Sequence, residues 1–378
     1  MPPYLSISDH TIFRDSDVLE FDHLPEQFNY RDAQMKDLAC CLGPALHGAK
    51  PVNTILRGLP GTGKTTSVKR IFAEVEEATK RIIPVYVNCR IDKTLFDILS
   101  KIHLQMFGNS PSISEYASQQ IHHKIGKAMM ERNVVLVVCL EDANYLLPDK
   151  VLNSVLSFLL LTQETYPGTK AGVIGTVNNL ETDFSRELDP DMISVFRPME
   201  INFPLYTRDE VHGILQDRIR NAFHPGALSD EILNLIVDRT MSCGDLRVGL
   251  DLLRTAALYA DQEGSMEVSS EHVKSANRDS KDMHLDPLVL SLAAPELGLL
   301  THLVTLITED PDSPLTSDML YESALVQMDI TPVKFHQWIR KFHEMRLIHV
   351  SERTVGHLKK IQEITLLYDP VKVMEACG

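Results

Sequence analysis

The 378-residue chain carries 52 acidic against 37 basic side chains, a formal charge of -15, which argues against indiscriminate coating of nucleic acid but permits a local basic surface. No charge-free apolar run reaches the roughly 18 residues of a membrane helix, and the start Met1-Pro-Pro-Tyr4 lacks the basic region and apolar core of a secretory leader. A cytoplasmic protein of two or three domains, away from membranes, is expected. Cys40, Cys41, Cys89, Cys139, Cys243 and Cys377 are scattered without ligand-like pairing and read as reduced, mostly buried thiols, with neither a zinc site nor a disulfide framework.

Residues 1–29 alternate acidic and apolar groups, as an extended arm lying on a domain does. Tyr30-Arg31-Asp32 opens an apolar helical run through Met35, Leu38, Cys41 and Leu42, which the segment 44–51, bounded by prolines, breaks. Arg31 reads equally as a nucleotide contact on the adenine and ribose side or as a surface arginine. The run 52–56 is a short buried strand, and 66–77 a helix with Val68, Ile71, Phe72 and Val75 on its apolar face. Between them, Gly58-Leu-Pro-Gly-Thr-Gly-Lys64-Thr65 has the spacing of a phosphate-binding loop, G-x-x-x-x-G-K-[ST]. Gly58, Leu59, Pro60, Gly61, Thr62, Gly63 and Thr66 form the turn and helix start whose amides face phosphate oxygens. Lys64 supplies positive charge and Thr65 an oxygen for Mg2+. ATP or ADP binding follows.

A second strand, 82–88, leads to helices over 94–106 and 115–130, with a loop at 109–114. The apolar strand 134–140 then ends in Glu141-Asp142, where a nucleotide-hydrolysing fold places its magnesium-associated acid and water-orienting base. Strand 171–177 ends at Asn178-Asn179, whose amides suit a terminal phosphate or attacking water. This alternation predicts an α/β sheet with ligands at the carboxyl ends of its strands.

From Thr207-Arg-Asp-Glu210, a capping box, the pattern changes to successive helices, with further ones over 230–237, 246–260 and 270–276. A linker at 277–287 precedes helices over 288–307 and 316–327. Thr331-Pro332 then caps a helix with Val333, Phe335, Ile339 and Phe342 available for packing and Lys334, Gln337 and Lys341 on another face. Strands 347–351 and 361–368 flank a turn at Gly356. Across 331–362 there are seven basic residues against Glu344 and Glu352, a local reversal of sign. Helices followed by this hairpin match a winged helix, whose local basic excess, with Lys334, Arg340, Lys341, Arg353, Lys359 and Lys360 in it, can contact phosphates. A solvated protein-interaction surface is the competing reading.

The order of these motifs, with Ile12-Phe13, Val85-Tyr-Val-Asn-Cys89, Leu188-Asp-Pro190, Phe203-Pro-Leu-Tyr-Thr207, Gly244-Asp-Leu-Arg247 and Ile364-Thr-Leu-Leu-Tyr-Asp-Pro370, resembles the archaeal replication initiator ATPases of the origin recognition and cell-division-control type, within the AAA+ group. The resemblance implies a AAA+ nucleotide-binding domain at 1–205, a helical lid at 206–280 and a winged-helix DNA-binding domain at 281–378. It also implies Asn178 as first sensor, Arg247 as second sensor, and DNA binding by the six basic residues Lys334, Arg340, Lys341, Arg353, Lys359 and Lys360. Double-stranded origin DNA and a replicative helicase are the implied partners, with homo- or hetero-oligomers formed with related initiators. A nucleotide-gated DNA regulator and an ATP-dependent protein scaffold are the alternatives. Two departures matter. Such proteins end the acidic strand with Asp then Glu, whereas Glu141 precedes Asp142 here; and Asp191 stands where they carry an arginine that reaches a neighbouring protomer's nucleotide, with Arg186 and Arg197 nearby. Weak or absent hydrolysis with retained nucleotide binding is therefore expected.

Overall fold

The computed structural model describes residues 11–26, 28–111, 118–147, 150–178, 187–280, 285–310, 313–355 and 359–378, excluding the side chains of 278–280, 352–355 and 359–361. Its two compact units divide at His23/Leu24 and Leu205/Tyr206, residues 24–205 forming the nucleotide-loop unit.

That unit runs α1 (Asp32–Leu46), β1 (Thr54–Arg57), α2 (Lys64–Ala78), β2 (Ile82–Asn88), α3 (Leu95–Phe107), α4 (Ser118–Arg132), β3 (Val135–Glu141), α5 (Val151–Thr165), β4 (Lys170–Val177), α6 (Pro190–Phe196) and β5 (Met199–Asn202). The five strands are parallel in the order β2-β3-β4-β1-β5. Alternation along β3 feeds two cores: Val135, Val137 and Cys139 pack with Leu38 of α1 and Val68, Ile71 and Phe72 of α2. Leu136, Val138 and Leu140 pack with Ile98, Ile125 and Leu156 from α3, α4 and α5. The period of two thus assigns Glu141, next in the odd series, to the face that α2 covers. Burial on both faces explains why β3 reads as one continuous apolar run.

The predicted strands and phosphate-loop helix are present with small shifts at their ends. No element was expected over 151–165, 190–196 or 199–202. α5 is apolar nearly all round, with Leu152, Val155, Leu156, Leu159 and Leu160 buried, so it carries little amphipathic period. β5 is four residues long, and its pattern is exposed-exposed-buried-exposed. α1 continues through Pro44 to Leu46.

In the other unit, residues 11–23 and the described residues after 205 fold together. Helices α7 (Arg208–Ala222), α8 (Asp230–Cys243), α9 (Leu246–Gln262) and α10 (Ser270–Ser280) enclose a core that also contains Ile12, Val18 and Leu19. The Arg14 and Asp15 amides donate to the Ala222 carbonyl, the Ile12 amide to Asp261 Oδ1 at 2.9 Å, and Arg218 to the Val18 carbonyl at 2.7 Å. Residues 11–23 therefore pack on the lid helices, not on the nucleotide fold to which the expected 1–205 boundary assigned them. The reason is apolar: Ile12 and Leu19 are at most 1 % exposed there.

The remainder is α11 (Leu285–Val289), α12 (Ala294–Glu309), α13 (Ser317–Gln327), α14 (Pro332–Glu344), the antiparallel hairpin β6 (Ile348–Val355) and β7 (Lys359–Leu366), and α15 (Pro370–Cys377). The single helix expected over 288–307 is two, because Ser291-Leu292-Ala293 turns and Pro295 then sits in the first turn of α12. An isolated antiparallel bridge from Thr316 to Glu363 ties the residue that caps α13 to β7 of the wing. The turn residue Gly356 lies outside the described residues. No described helix is long and apolar enough to cross a membrane.

Candidate nucleotide site and basic surface

The phosphate loop joins the end of β1 to the start of α2. Gly58 is required by close approach: a Cβ there would lie 2.4 Å from the Phe203 carbonyl oxygen. Gly61 and Gly63 have φ of 75° and 91°, and Gly63 caps α2 in the left-handed region. Lys64 opens the helix, and its buried Nζ donates to the Gly58 and Leu59 carbonyls at 2.6 and 2.9 Å. Thr62 Oγ1 donates to the Leu59 carbonyl at 2.7 Å, and Ser67 Oγ to that of Gly63 at 2.9 Å. The loop is therefore held from inside by its own side chains.

Arg31 takes part in that support. It is 2 % exposed; its Nε donates to the Thr62 carbonyl at 2.9 Å and one terminal nitrogen to that of Pro204 at 2.7 Å. Its guanidinium carbon lies 5.9 Å from the Phe203 ring centroid. Neither open sequence reading anticipated this position beneath the loop.

At the neighbouring strand ends, the hydroxyls of Thr65 and Tyr86 donate to the two carboxylate oxygens of Glu141. Burial pushes the Glu141 carboxyl up from the usual carboxylate range, while the Thr65 hydrogen bond opposes that shift. Asp142 takes φ of 54°, which a short acidic residue tolerates, and its amide donates to Thr176 Oγ1 at 2.9 Å. Its carboxylate accepts from Arg90 Nε at 2.6 Å and from the Asn178 amide. The structure thus gathers Lys64, Thr65, Glu141, Asp142 and Asn178 at one end of the sheet. It adds Arg90 and Tyr86, which the sequence reading passed over, because the pairing of β2 with β3 that brings them to Asp142 and Glu141 is not given by any local pattern.

Arg247 is in the other unit, on the first turn of α9, where its guanidinium pairs with the buried helix-capping carboxylate of Asp245. Asp191 is exposed at the start of α6 and Arg197 exposed at its C-cap; Arg186 and Asn179 lie outside the described residues.

On α14, Phe335, Ile339 and Phe342 are buried, and the Phe335 and Tyr321 rings lie 5.0 Å apart. Lys334, His336, Gln337 and Arg340 are exposed. Two expectations change. Val333 is 67 % exposed, so it does not pack in the core. Lys341 is 5 % exposed, and its Nζ meets Glu296 Oε1 at 2.5 Å, so it is not a surface DNA contact. The helical step from Lys334 to Lys341 returns to nearly the same angle, but the buried Glu296 in the first turn of α12 meets the second lysine at the far end of the helix. Arg340 reaches Glu344 at 3.0 Å on the surface. The side chains of Arg353, Lys359 and Lys360, on the two strands of the wing, lie outside the described residues.

The loop between β1 and α2, the acidic end of β3 and the polar end of β4 in a 2-3-4-1-5 sheet, with a helical lid, define a AAA+ nucleotide-binding protein. Residues 51–175 match the AAA domain family and 212–278 the Cdc6 AAA+ ATPase-type lid domain. The chain is 42 % identical to ORC1-type DNA replication protein 2 of Methanosarcina acetivorans over 97 % of its length and 96 % of that protein's. It is 33 % identical to ORC1-type DNA replication protein 6 of Halobacterium salinarum, with the same coverage. Among solved structures, the Aeropyrum pernix ORC1 protein in complex with DNA aligns over 98 % of this chain and 97 % of that one, with a TM-score of 0.63 and 26 % identity. The chain belongs to the archaeal ORC1/Cdc6-type family of AAA+ replication initiators. It binds ATP or ADP.

Proposed function

We propose that this protein is a replication initiator that binds double-stranded origin DNA through its winged-helix region, holds ATP or ADP at the phosphate loop, and turns nucleotide over slowly. The observation that carries the DNA reading is the exposed row Lys334, Gln337 and Arg340 on α14. The helix has the length and surface to enter a major groove, with Lys334 on phosphate and Gln337 and Arg340 on base edges. The likeness to a DNA-bound ORC1 protein over the full chain supports it. Arg353, Lys359 and Lys360 on the wing add backbone contacts. Recruitment of a replicative helicase and assembly with a second copy or related initiators belong to the same reading, as does service of Arg247 as the second sensor.

Thr65 and Glu141, already hydrogen-bonded to each other, are hard oxygen donors that fit Mg2+. Bound there, the ion neutralises phosphate charge. Lys64 orients the phosphate tail, and Asn178 supplies a neutral donor beside it. Asp142 is a poor base: its carboxylate is committed to Arg90 and Asn178, and its arm is one methylene shorter than the glutamate of its relatives. The exposed Asp191 offers no cation to a neighbour's developing phosphate charge. Asp142→Asn is therefore expected to change single-turnover ATP hydrolysis by less than about threefold, whereas loss of a working general base costs about 10²–10⁴-fold. A loss of that size would contradict the reading.

The DNA surface is tested by Lys334→Ala with Arg340→Ala, read as the dependence of duplex affinity on salt. Loss of the Lys334 phosphate contact reduces the slope of log K against log[salt] by about 0.9, and loss of the Arg340 base-edge contact costs about 1–3 kcal/mol of sequence discrimination. An unchanged slope and affinity would remove α14 from the DNA surface.

A further inference from the structure

Arg31 is the feature that the nucleotide reading leaves unexplained. A buried guanidinium makes two hydrogen bonds to carbonyls that are distant in sequence, Thr62 within the phosphate loop and Pro204, and a third to its own neighbour Tyr30 at 3.1 Å. Pro204 precedes the point at which the chain leaves the nucleotide unit, after Leu205, and Arg31 follows the point at which it enters, before Leu24. The Phe203 carbonyl sits against Gly58 so closely that no Cβ fits between them, and the Phe203 amide donates to the Arg57 carbonyl at 2.7 Å. The exit segment is thus laid along the base of the loop and fastened to it by one side chain.

The chemistry of the Thr62–Gly63 peptide gives this fastening a direction. In a planar trans peptide the C=O and N–H point opposite ways. Arg31 holds the Thr62 carbonyl, and so the Gly63 N–H points away from Arg31, to the side on which a loop of this spacing takes phosphate. A phosphate accepting that N–H polarises the peptide and strengthens the carbonyl as an acceptor. The planar guanidinium then carries the change to its second arm on Pro204, which an ammonium, with one flexible point charge, cannot do in the same geometry.

We infer that Arg31 is a positioning residue that couples phosphate occupancy of the loop to the order of the exit segment 203–205, without touching nucleotide. The inference rests on nucleotide binding at the phosphate loop. It predicts that phosphate at the loop makes the exit segment rigid, and that lysine at position 31 keeps charge and loop binding while losing the coupling.

Amide hydrogen exchange on the full chain, with and without ADP, tests it, each variant being studied at ADP concentrations shown by titration to saturate it. In the wild type, ADP should slow exchange at Phe203 and Leu205 by about tenfold, together with the loop amides. In Arg31→Lys at saturation, the loop amides should still slow while the change at Phe203 and Leu205 falls below about twofold. Retention of the exit response in Arg31→Lys overturns the inference. So does a wild type that binds ADP with loop protection and no exit response, an outcome that needs no variant to fold. A wild type that does not bind ADP would instead overturn the nucleotide reading itself.

Discussion

Lys64→Ala will weaken ADP binding by about a hundredfold, or roughly 2.7 kcal/mol, as measured by titration of a fluorescent ADP analogue. The expectation follows from where the ammonium sits. It is 6 % exposed, and the Gly58 and Leu59 carbonyls fix its position without neutralising its charge. An ammonium whose position is already fixed meets phosphate with little further ordering cost, and charge-assisted hydrogen bonds are about twice as strong as neutral ones. The substitution also leaves two carbonyls without this donor, so Lys64→Met, which keeps most of the packing, should show the same loss of affinity with a smaller loss of stability. Affinity within about threefold of wild type in both variants would place the phosphates elsewhere.

Glu296→Ala should destabilise the C-terminal region by about 3–5 kcal/mol, because it takes the buried carboxylate partner from the Lys341 ammonium. Glu296 is 1 % exposed; its Oε1 accepts from Lys341 and its Oε2 from the Ala293 amide at 2.7 Å. One carboxylate therefore fastens α14 to the start of α12 and caps α12 as well. Removing both charges together, Glu296→Gln with Lys341→Met, should recover most of the loss, since the glutamine still caps Ala293 and the methionine refills the lysine's volume. The chain has one tryptophan, Trp338, on α14 between the buried Ile339 and the exposed Gln337, so its fluorescence reports this region's denaturant transition. Equal midpoints for Glu296→Ala and wild type would show that the pair does not hold the helix. Because α14 bears Lys334 and Arg340, the same single variant should weaken DNA binding, and the double variant should restore it.

The parts of this fold that were legible in the sequence are those whose residues answer to a local rule. The phosphate loop was legible because glycine spacing, a preceding apolar strand and a following amphipathic helix all depend on short-range geometry. β3 was legible because burial on both faces leaves an unbroken apolar run, with Glu141 and Asp142 as its end. The capping boxes at Thr207 and the proline start at 332 marked helices for the same reason. What was not legible depends on tertiary enclosure. Lys334 and Lys341 are equivalent in chemistry and nearly so in helical phase; only the approach of α12 makes one a surface charge and the other an interior one. Val333 fails in the opposite sense, since at the first turn of α14 it faces solvent and not the core that Phe335, Ile339 and Phe342 enter. The role of Arg31 needed the return of 203–205 beneath the loop, and the placing of Ile12, Val18 and Leu19 needed the lid core they fill. Arg90 was missed because the pairing of β2 with β3, which brings it to Asp142, is a sheet property that no local pattern specifies.

The central claim, that a nucleotide-binding chain of this family reads origin DNA through its winged-helix region, is tested most directly by duplex binding. Purified full-length protein should be titrated with fragments of its own genomic origin and with matched nonspecific duplexes, across salt, in ATP, in ADP and without nucleotide. Origin fragments should bind at least about a thousandfold tighter than nonspecific duplexes at physiological salt, with a steep salt dependence. Equal affinity for all duplexes, or no salt-sensitive binding at all, would contradict it.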